Sequence, residues 1–311
     1  MTHEHLDHVQ GLFTASVQHG LDLKARYSWI TASAAPDYYE THADAKKKKL
    51  AVAQAVEQIE RFLGASPAAS PLLSTLLLNN NPRSTAQCVD YLRKLADRTT
   101  YVYRGCALDG THPFREALLR VWGPEEDTAD YYGPFQPMAL GVGGAPGGAG
   151  EPGPTLPTPP SGVDAGAFYD LVERRRRGFV DNLLAIDKAA NNTSVVFTLE
   201  WRGWKLLFPG DAELRSWQTM HKHRLLENVD FLKVGHHGSQ NGTPPVELLD
   251  KILPYPARAD RRPRAVVSTC EGAYNNVPDT GTTNELRRRC DLYSVEDLPA
   301  DKLYLDLFFD G

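Results

Sequence analysis

Cysteine is scarce and badly spaced for chemistry. Cys88, Cys106, Cys270 and Cys290 are scattered with no C-x-x-C pair, which argues against a disulfide framework and a thiolate zinc site and fits a reducing compartment. Basic charge is not in excess. Lys and Arg number 34 against 39 Asp and Glu, for a formal net charge of −5. A broad cationic face, as on a dedicated nucleic-acid binder, is therefore not expected. No apolar run approaches the ~20 residues that a membrane span needs. The start carries His and Asp where a secretion signal would carry a basic and then an apolar stretch. A cytoplasmic protein without membrane association is expected.

What is present is dense at one point. His3, Glu4, His5, Asp7 and His8 place three imidazoles and two carboxylates within the stretch His3–His8. In an extended segment His3, His5 and Asp7 share a face, and His8 joins them if the chain turns into a helix there. The apolar spacing of Val9, Leu12, Phe13 and Val17 predicts that helix. Mixed His and carboxylate ligands suit zinc or manganese better than calcium or magnesium. Two later pieces carry matching chemistry: Gly210-Asp211-Ala212-Glu213, and Gly235-His236-His237-Gly238-Ser239.

Between these pieces the chain of 311 residues reads as α/β. A short strand is expected at Tyr27–Thr31 and an amphipathic helix at His42–Leu63, with Lys46–Lys49 as its solvated face. Pro67 to Pro82 reads as a connection holding an apolar island at Leu72–Leu78. A helix follows at Ala86–Ala96, then strands at Tyr101–Tyr103 and Ala117–Trp122. Between Gly141 and Gly162 most residues are Gly or Pro. Such a segment buries too little apolar surface to offset its ordering entropy, so residues 138–163 are expected to be a disordered insertion within a single domain spanning 1–311. Ala167–Leu184 reads as a helix with Arg174–Arg177 on its exposed face. Ser194–Trp201 and Trp204–Phe208 read as a hairpin turned at Arg202-Gly203. Helices at Ala212–Leu226, Pro245–Leu253 and Thr283–Cys290 alternate with strands at Asp230–Val234, Ala265–Thr269 and Leu303–Phe309. The ionisable clusters fall just past strand ends, where α/β proteins build sites.

The run His3-Glu4-His5-Leu6-Asp7-His8 resembles the H-x-H-x-D-H signature of the metallo-β-lactamase fold hydrolases. Asn191-Asn192-Thr193-Ser194, Gly210-Asp211-Ala212-Glu213, Leu232-Lys233-Val234-Gly235-His236-His237-Gly238-Ser239 and the region from Val266-Val267-Ser268 to Asn275-Asn276-Val277-Pro278 follow in order. They are most similar to the hydrolase domain of ComEC-type DNA-uptake proteins and its soluble stand-alone relatives. The resemblance covers residues 1–20 and roughly 190–309. It implies an αββα sandwich. It also implies that His3 and His5 bind one divalent ion, that Asp7, His8 and one of His236 and His237 bind a second, and that Asp211 bridges them. His237 is the favoured ligand, with His236 facing substrate. Zinc is the expected metal and manganese the alternative. Many members use a further His; His112 is the best-placed candidate, with Asn192 as a substitute. The fold also opens with strands before its first motif, and only Met1 and Thr2 precede His3 here. The expectation is therefore an N-terminally truncated sandwich, or one whose opening strands come from a partner chain.

Two divalent ions acidify a shared water toward hydroxide. They also leave a net positive centre, which favours an anionic ester. The resemblance thus implies hydrolysis of phosphate esters, nucleic acid among them, through a metal-bridging hydroxide. Asp7, Asp211 and His236 are the catalytic residues; Asn192, Thr193, Ser194 and Ser239 are substrate-side hydrogen-bonding groups. The competing readings are a thioester, lactone or lactam hydrolase on the same centre, and a truncated, non-catalytic remnant.

Overall fold

The computed structural model describes residues 1–64, 71–132, 183–256, 261–269, 277–299 and 304–309, with single positions at 164, 166 and 181 and the pair 301–302. The Gly/Pro-rich stretch 138–163 and most of the helix expected at Ala167–Leu184 lie outside the described residues.

The chain is α/β, and its described residues form two sheets. In the smaller, β1 (Ala25–Thr31) runs parallel to β2 (Ala96–Val102). The larger has six strands in the order β3 (Leu118–Gly123), β4 (Val196–Trp201), β5 (Trp204–Phe208), β6 (Phe231–Lys233), β7 (Arg264–Val267) and β8 (Asp291–Ser294). The first three are antiparallel neighbours and the rest are parallel. The β4–β5 hairpin turns at Arg202 and Gly203, with φ of 49° and 79°. Both residues take the left-handed backbone that matches the strands' twist in a two-residue turn, and glycine adopts it without a Cβ penalty. The parallel strands need crossovers, and three helices supply them: α7 (Leu214–Lys222), α8 (Val246–Ile252) and α9 (Thr280–Arg289). Asp279 caps α9, its side-chain oxygen accepting the Thr282 N–H at 2.7 Å. Asp279→Ala is expected to cost about 1 kcal/mol, read as a lower urea midpoint at unchanged slope.

Apolar side chains sort by face. Leu207, Leu232, Ala265 and Val267 from the large sheet pack with Trp217, Met220, Leu249, Ile252 and Leu286 from α7, α8 and α9. The other face of that sheet turns toward the small one, where Val121 and Val195 meet Val102, with Trp29 and Phe197 against them. Beyond the small sheet, Ile30 packs with Leu6 and Val9 of α1 (Leu6–Val17) and with Val89 and Leu92 of α5 (Pro82–Lys94). Between the sheets, Tyr27, Trp29, Leu119, Phe197, Leu199 and Phe208 line an open apolar groove of about 660 Å³.

Several elements differ from the sequence expectation. Pro71–Asn79 is a helix, α4, rather than part of a connection. Its Leu76 is buried against Ala55, Val56 and Ile59 of α3 (Ala43–Gly64) and Leu183 and Ile186 of α6, described over residues 183–191. A helix this short is marginal alone and forms because its neighbours cover it. The small sheet's second strand starts at Ala96, through Asp97, Arg98 and Thr99, because β1 supplies a hydrogen-bonding edge. Residues 304–309 carry no strand; Phe309 packs its ring on Trp204 and Phe231 instead, and β8 closes the sheet. Finally, the Lys46–Lys49 run is only half solvated. Lys48 donates to the Ala129 and Tyr132 carbonyls at 2.6 and 3.1 Å, and Lys49 pairs with Glu4 at 2.7 Å. A short four-residue helix, α2 (Tyr38–Thr41), precedes α3.

Candidate metal centre

The parallel strands β5, β6 and β7 end at the same edge of the large sheet, and β4, antiparallel to β5, begins there. The opening residues cross this edge. The Val195 N–H donates to the Thr2 carbonyl at 3.0 Å, which sets His3 beside the start of β4. His3 is fully buried. Its Nδ1 is 3.1 Å from the Ser194 hydroxyl and 3.1 Å from that of Thr2, while its Nε2 is buried with no hydrogen-bond partner among the described residues. His5 is the N-cap of α1 and still extended, with φ −70° and ψ 146°. Asp7 lies in the first helical turn, where a carboxylate suits the helix dipole. The bend into α1 brings His8 back over His3, ring centres 4.3 Å apart, and the His5 ring meets His3 edge-on at 4.6 Å.

Asp211 enters past the end of β5. Its Oδ2 is 3.0 Å from His8 Nε2, its backbone N–H donates to the Ser194 hydroxyl at 3.1 Å, and its Oδ1 accepts the His236 N–H at 3.3 Å. Burial pushes its pKa up, but the His8 hydrogen bond and the charges of His3, His8 and His236 win, holding the carboxyl far below the usual range. His236 and His237 follow β6 with φ of 45° and 54°. Left-handed backbone at two successive imidazoles costs about 1–3 kcal/mol each and persists only where the surroundings impose it. One such constraint is Gly242: a Cβ there would sit 2.6 Å from the His236 Cβ, so a glycine permits the close approach. The His237 Nδ1 lies 2.8 Å from the Ser268 carbonyl just past β7. A carbonyl only accepts, so Nδ1 carries a hydrogen, which orients Nε2 away from that carbonyl.

Two groups of side chains bring ligand atoms within 4.8 Å of one another: His3, His8 and Asp211, and Asp7, His8 and His237. This donor set fits a divalent ion. Nitrogen and carboxylate oxygen are mixed, and the buried His3 Nε2 has no hydrogen-bond partner among the described residues. The protonation states agree in part. Burial, then the charges of His5 and His8, lower the His3 pKa, so its ring is neutral, the ligating form. For His8 burial again lowers the pKa but is outweighed by the Asp211 hydrogen bond and the charges of Asp211 and Asp7, so its pKa rises. A metal taking His8 competes with the proton that this shift favours. For His236 burial is likewise outweighed, first by Glu213 and then by Asp211, and its pKa rises.

The other expected residues fall as follows. His5 stands beside the cluster, but its Nε2 turns to the Asn80 Oδ1 at 3.1 Å. His236 turns its Nδ1 toward Glu213 Oε1 at 3.4 Å. Ser194 braces His3 and Asp211. Asn192 points into the protein: its Oδ1 accepts from Ser216 N–H and hydroxyl, both at 2.9 Å, and its Nδ2 donates to the Lys188 carbonyl. The Thr193 hydroxyl donates to the Ala190 carbonyl, and the Ser239 hydroxyl accepts the Gly242 N–H. These two residues therefore shape loops. His112 stacks on Phe114 and meets Trp29 edge-on beside the inter-sheet groove, apart from the cluster.

Asn80, Asp187, Asn191 and Glu213 were not expected and adjoin the centre. Asn191 and Glu213 sit inside recognisable motifs, so their neighbours were a signal. Asp187 and Asn80 have no local signal, because α6 and the end of α4 reach the site only in the folded chain. No protein-family profile and no curated protein matches this chain.

Proposed function

We propose that this chain is a metal-dependent hydrolase acting on phosphate esters, phosphodiesters first, with two divalent ions, zinc or manganese, as cofactors. The observation that carries this reading is the convergence of three distant parts of the chain, residues 3–8, Asp211 and His237, on two His and Asp groups that share His8. His3 and His5 would hold one ion, and Asp7, His8 and His237 the other, with Asp211 available to both. When bound, such ions supply Lewis acidity and positive charge matched to an anionic ester. The protein's own groups orient that centre. Ser194 holds His3 and Asp211, Ser268 holds His237, and His236, tied to Glu213, is the imidazole left to face substrate.

The sorting of apolar side chains, helices outside each sheet and apolar contact between them, supports a metallo-β-lactamase-like αββα sandwich. Among the described residues β1 has one strand neighbour, β2, so its other edge could take strands of a partner chain.

The test is a substrate panel with elemental analysis. Zinc- or manganese-loaded protein should carry about two ions per chain, as a two-metal site requires. It should cleave bis(p-nitrophenyl) phosphate at least about tenfold faster than a thioester, a lactone or a lactam, a barrier difference of ~1.4 kcal/mol. Preference for the acyl substrates would move the reading to the alternative chemistry on the same centre. Less than one ion per chain, with no response to chelator, would leave a non-catalytic remnant.

A further inference from the structure

We infer that Asp187 and Asn80 are positioning residues that fix which ring nitrogen His5 presents to the metal centre. The inference rests on the metal reading above, and donor and acceptor counting carries it. Asn80 sits just past α4. Its Nδ2 donates to the Leu76 carbonyl and to Asp187 Oδ1, both at 2.9 Å. Neither acceptor can donate, so turning the amide round would set oxygen against two oxygens. The amide oxygen therefore faces His5, 3.1 Å from Nε2. An amide oxygen only accepts, so His5 Nε2 carries the hydrogen. In the neutral ring Nδ1 then keeps its lone pair, and the two nitrogens of an imidazole point in divergent directions. Asp187 Oδ1 is itself 3.7 Å from Nε2, adding negative charge on that side.

The brace continues round the centre. Asp187 and Asn191 stand one turn apart on α6, on one face. Asn191 Nδ2 lies 3.4 Å from Asp187 Oδ2 and donates to Glu213 Oε1 at 2.9 Å. Glu213 Oε1 is the atom beside His236 Nδ1. His5, Asn191 and Glu213 are each buried. A belt of amides and carboxylates thus links the first motif to the paired histidines through residues that neither motif contains. A hydrogen-bond acceptor on the far nitrogen of a ligating His locks its tautomer, and its loss lowers metal affinity by about 10–100-fold.

The test reads the tautomer and the metal separately. In metal-free wild-type protein, the ¹⁵N–¹H histidine ring spectrum should show His5 protonated at Nε2. Asp187→Ala and Asn80→Leu should each mix the His5 tautomers. Each should also weaken zinc binding by about 10–100-fold in chelator competition, with the far-UV circular dichroism of wild type. Asn80→Leu leaves Asp187 in place, so it stays informative if Asp187→Ala does not fold. A His5 protonated at Nδ1, or wild-type tautomer and zinc affinity in Asn80→Leu, would overturn the inference. If wild-type protein binds no zinc, the metal reading fails by itself. The tautomer spectrum still decides the brace: an Nε2–H signal that Asn80→Leu abolishes supports it, and one that it leaves intact refutes it.

Discussion

Zinc added to Asp211→Ala protein is expected to leave its melting temperature where it was, while wild-type protein gains several degrees. A ligand at about 100 times its Kd stabilises a folded chain by about 2.7 kcal/mol, a shift easily seen by calorimetry. Asp211 should govern that gain because it is the buried carboxylate against which His8 and His236 are arranged. Its removal takes away a carboxylate and leaves buried imidazoles facing one another, with Asp7, Glu213 and Asp187 beside them. The affinity loss should exceed the roughly 10–100-fold that follows loss of a partner behind a ligand. Elemental analysis after dialysis should find the variant depleted relative to wild type. Equal zinc content in the two proteins would remove Asp211 from the centre, and with it the shared position between the two ions.

Trp217→Ala is expected to cause the largest loss of stability, about 3–5 kcal/mol. That is a large share of the roughly 5–15 kcal/mol that holds a typical domain together. Trp217 is 1% exposed, in the core between α7 and the large sheet, among Leu207, Met220 and Leu249. Its indole N–H also donates to the Gly242 carbonyl at 3.1 Å. Gly242 packs against His236, so one side chain anchors both the core and the loop that carries the paired histidines. Trp217→Phe separates these roles. It keeps most of the apolar contact and drops the hydrogen bond, so it should cost less, about 1–2 kcal/mol. It should nonetheless weaken zinc binding by loosening the His236–His237 loop. Urea unfolding and chelator competition on the two variants check this. A Trp217→Phe protein with wild-type zinc affinity would show that the loop holds without the indole.

Much of the candidate centre was legible because crowded His and Asp residues are chemically conspicuous. His3, His5, Asp7 and His8 crowd one short stretch, and the expected bend into a helix after Asp7 is the bend that sets His8 over His3. The hairpin at Arg202-Gly203 was legible too, since its turn interrupts two alternating apolar strands. The misses have a common cause. α4 looks like a connection because a nine-residue helix gains its burial from α3 and α6. β2 begins in polar residues, and β8 offers four residues with little apolar pattern; pairing with a neighbour makes each a strand. Tyr304–Phe309 has the composition of a strand, but its aromatic ring docks on Trp204 and Phe231 without joining the ladder. The inward turn of Lys48 and Lys49 likewise depends on where Glu4, Ala129 and Tyr132 arrive.

By itself the sequence determined which residues could serve as ligands and where the strands that deliver them end, because residue type and short-range periodicity are local properties. Only the tertiary structure decided how those groups are held. It turned His5 to Asn80, tied His237 to Ser268, sent Asn192 into the protein and brought Asp187 to the site. Each of these depends on a donor meeting an acceptor from a distant part of the chain, and no spacing along the backbone encodes such a meeting.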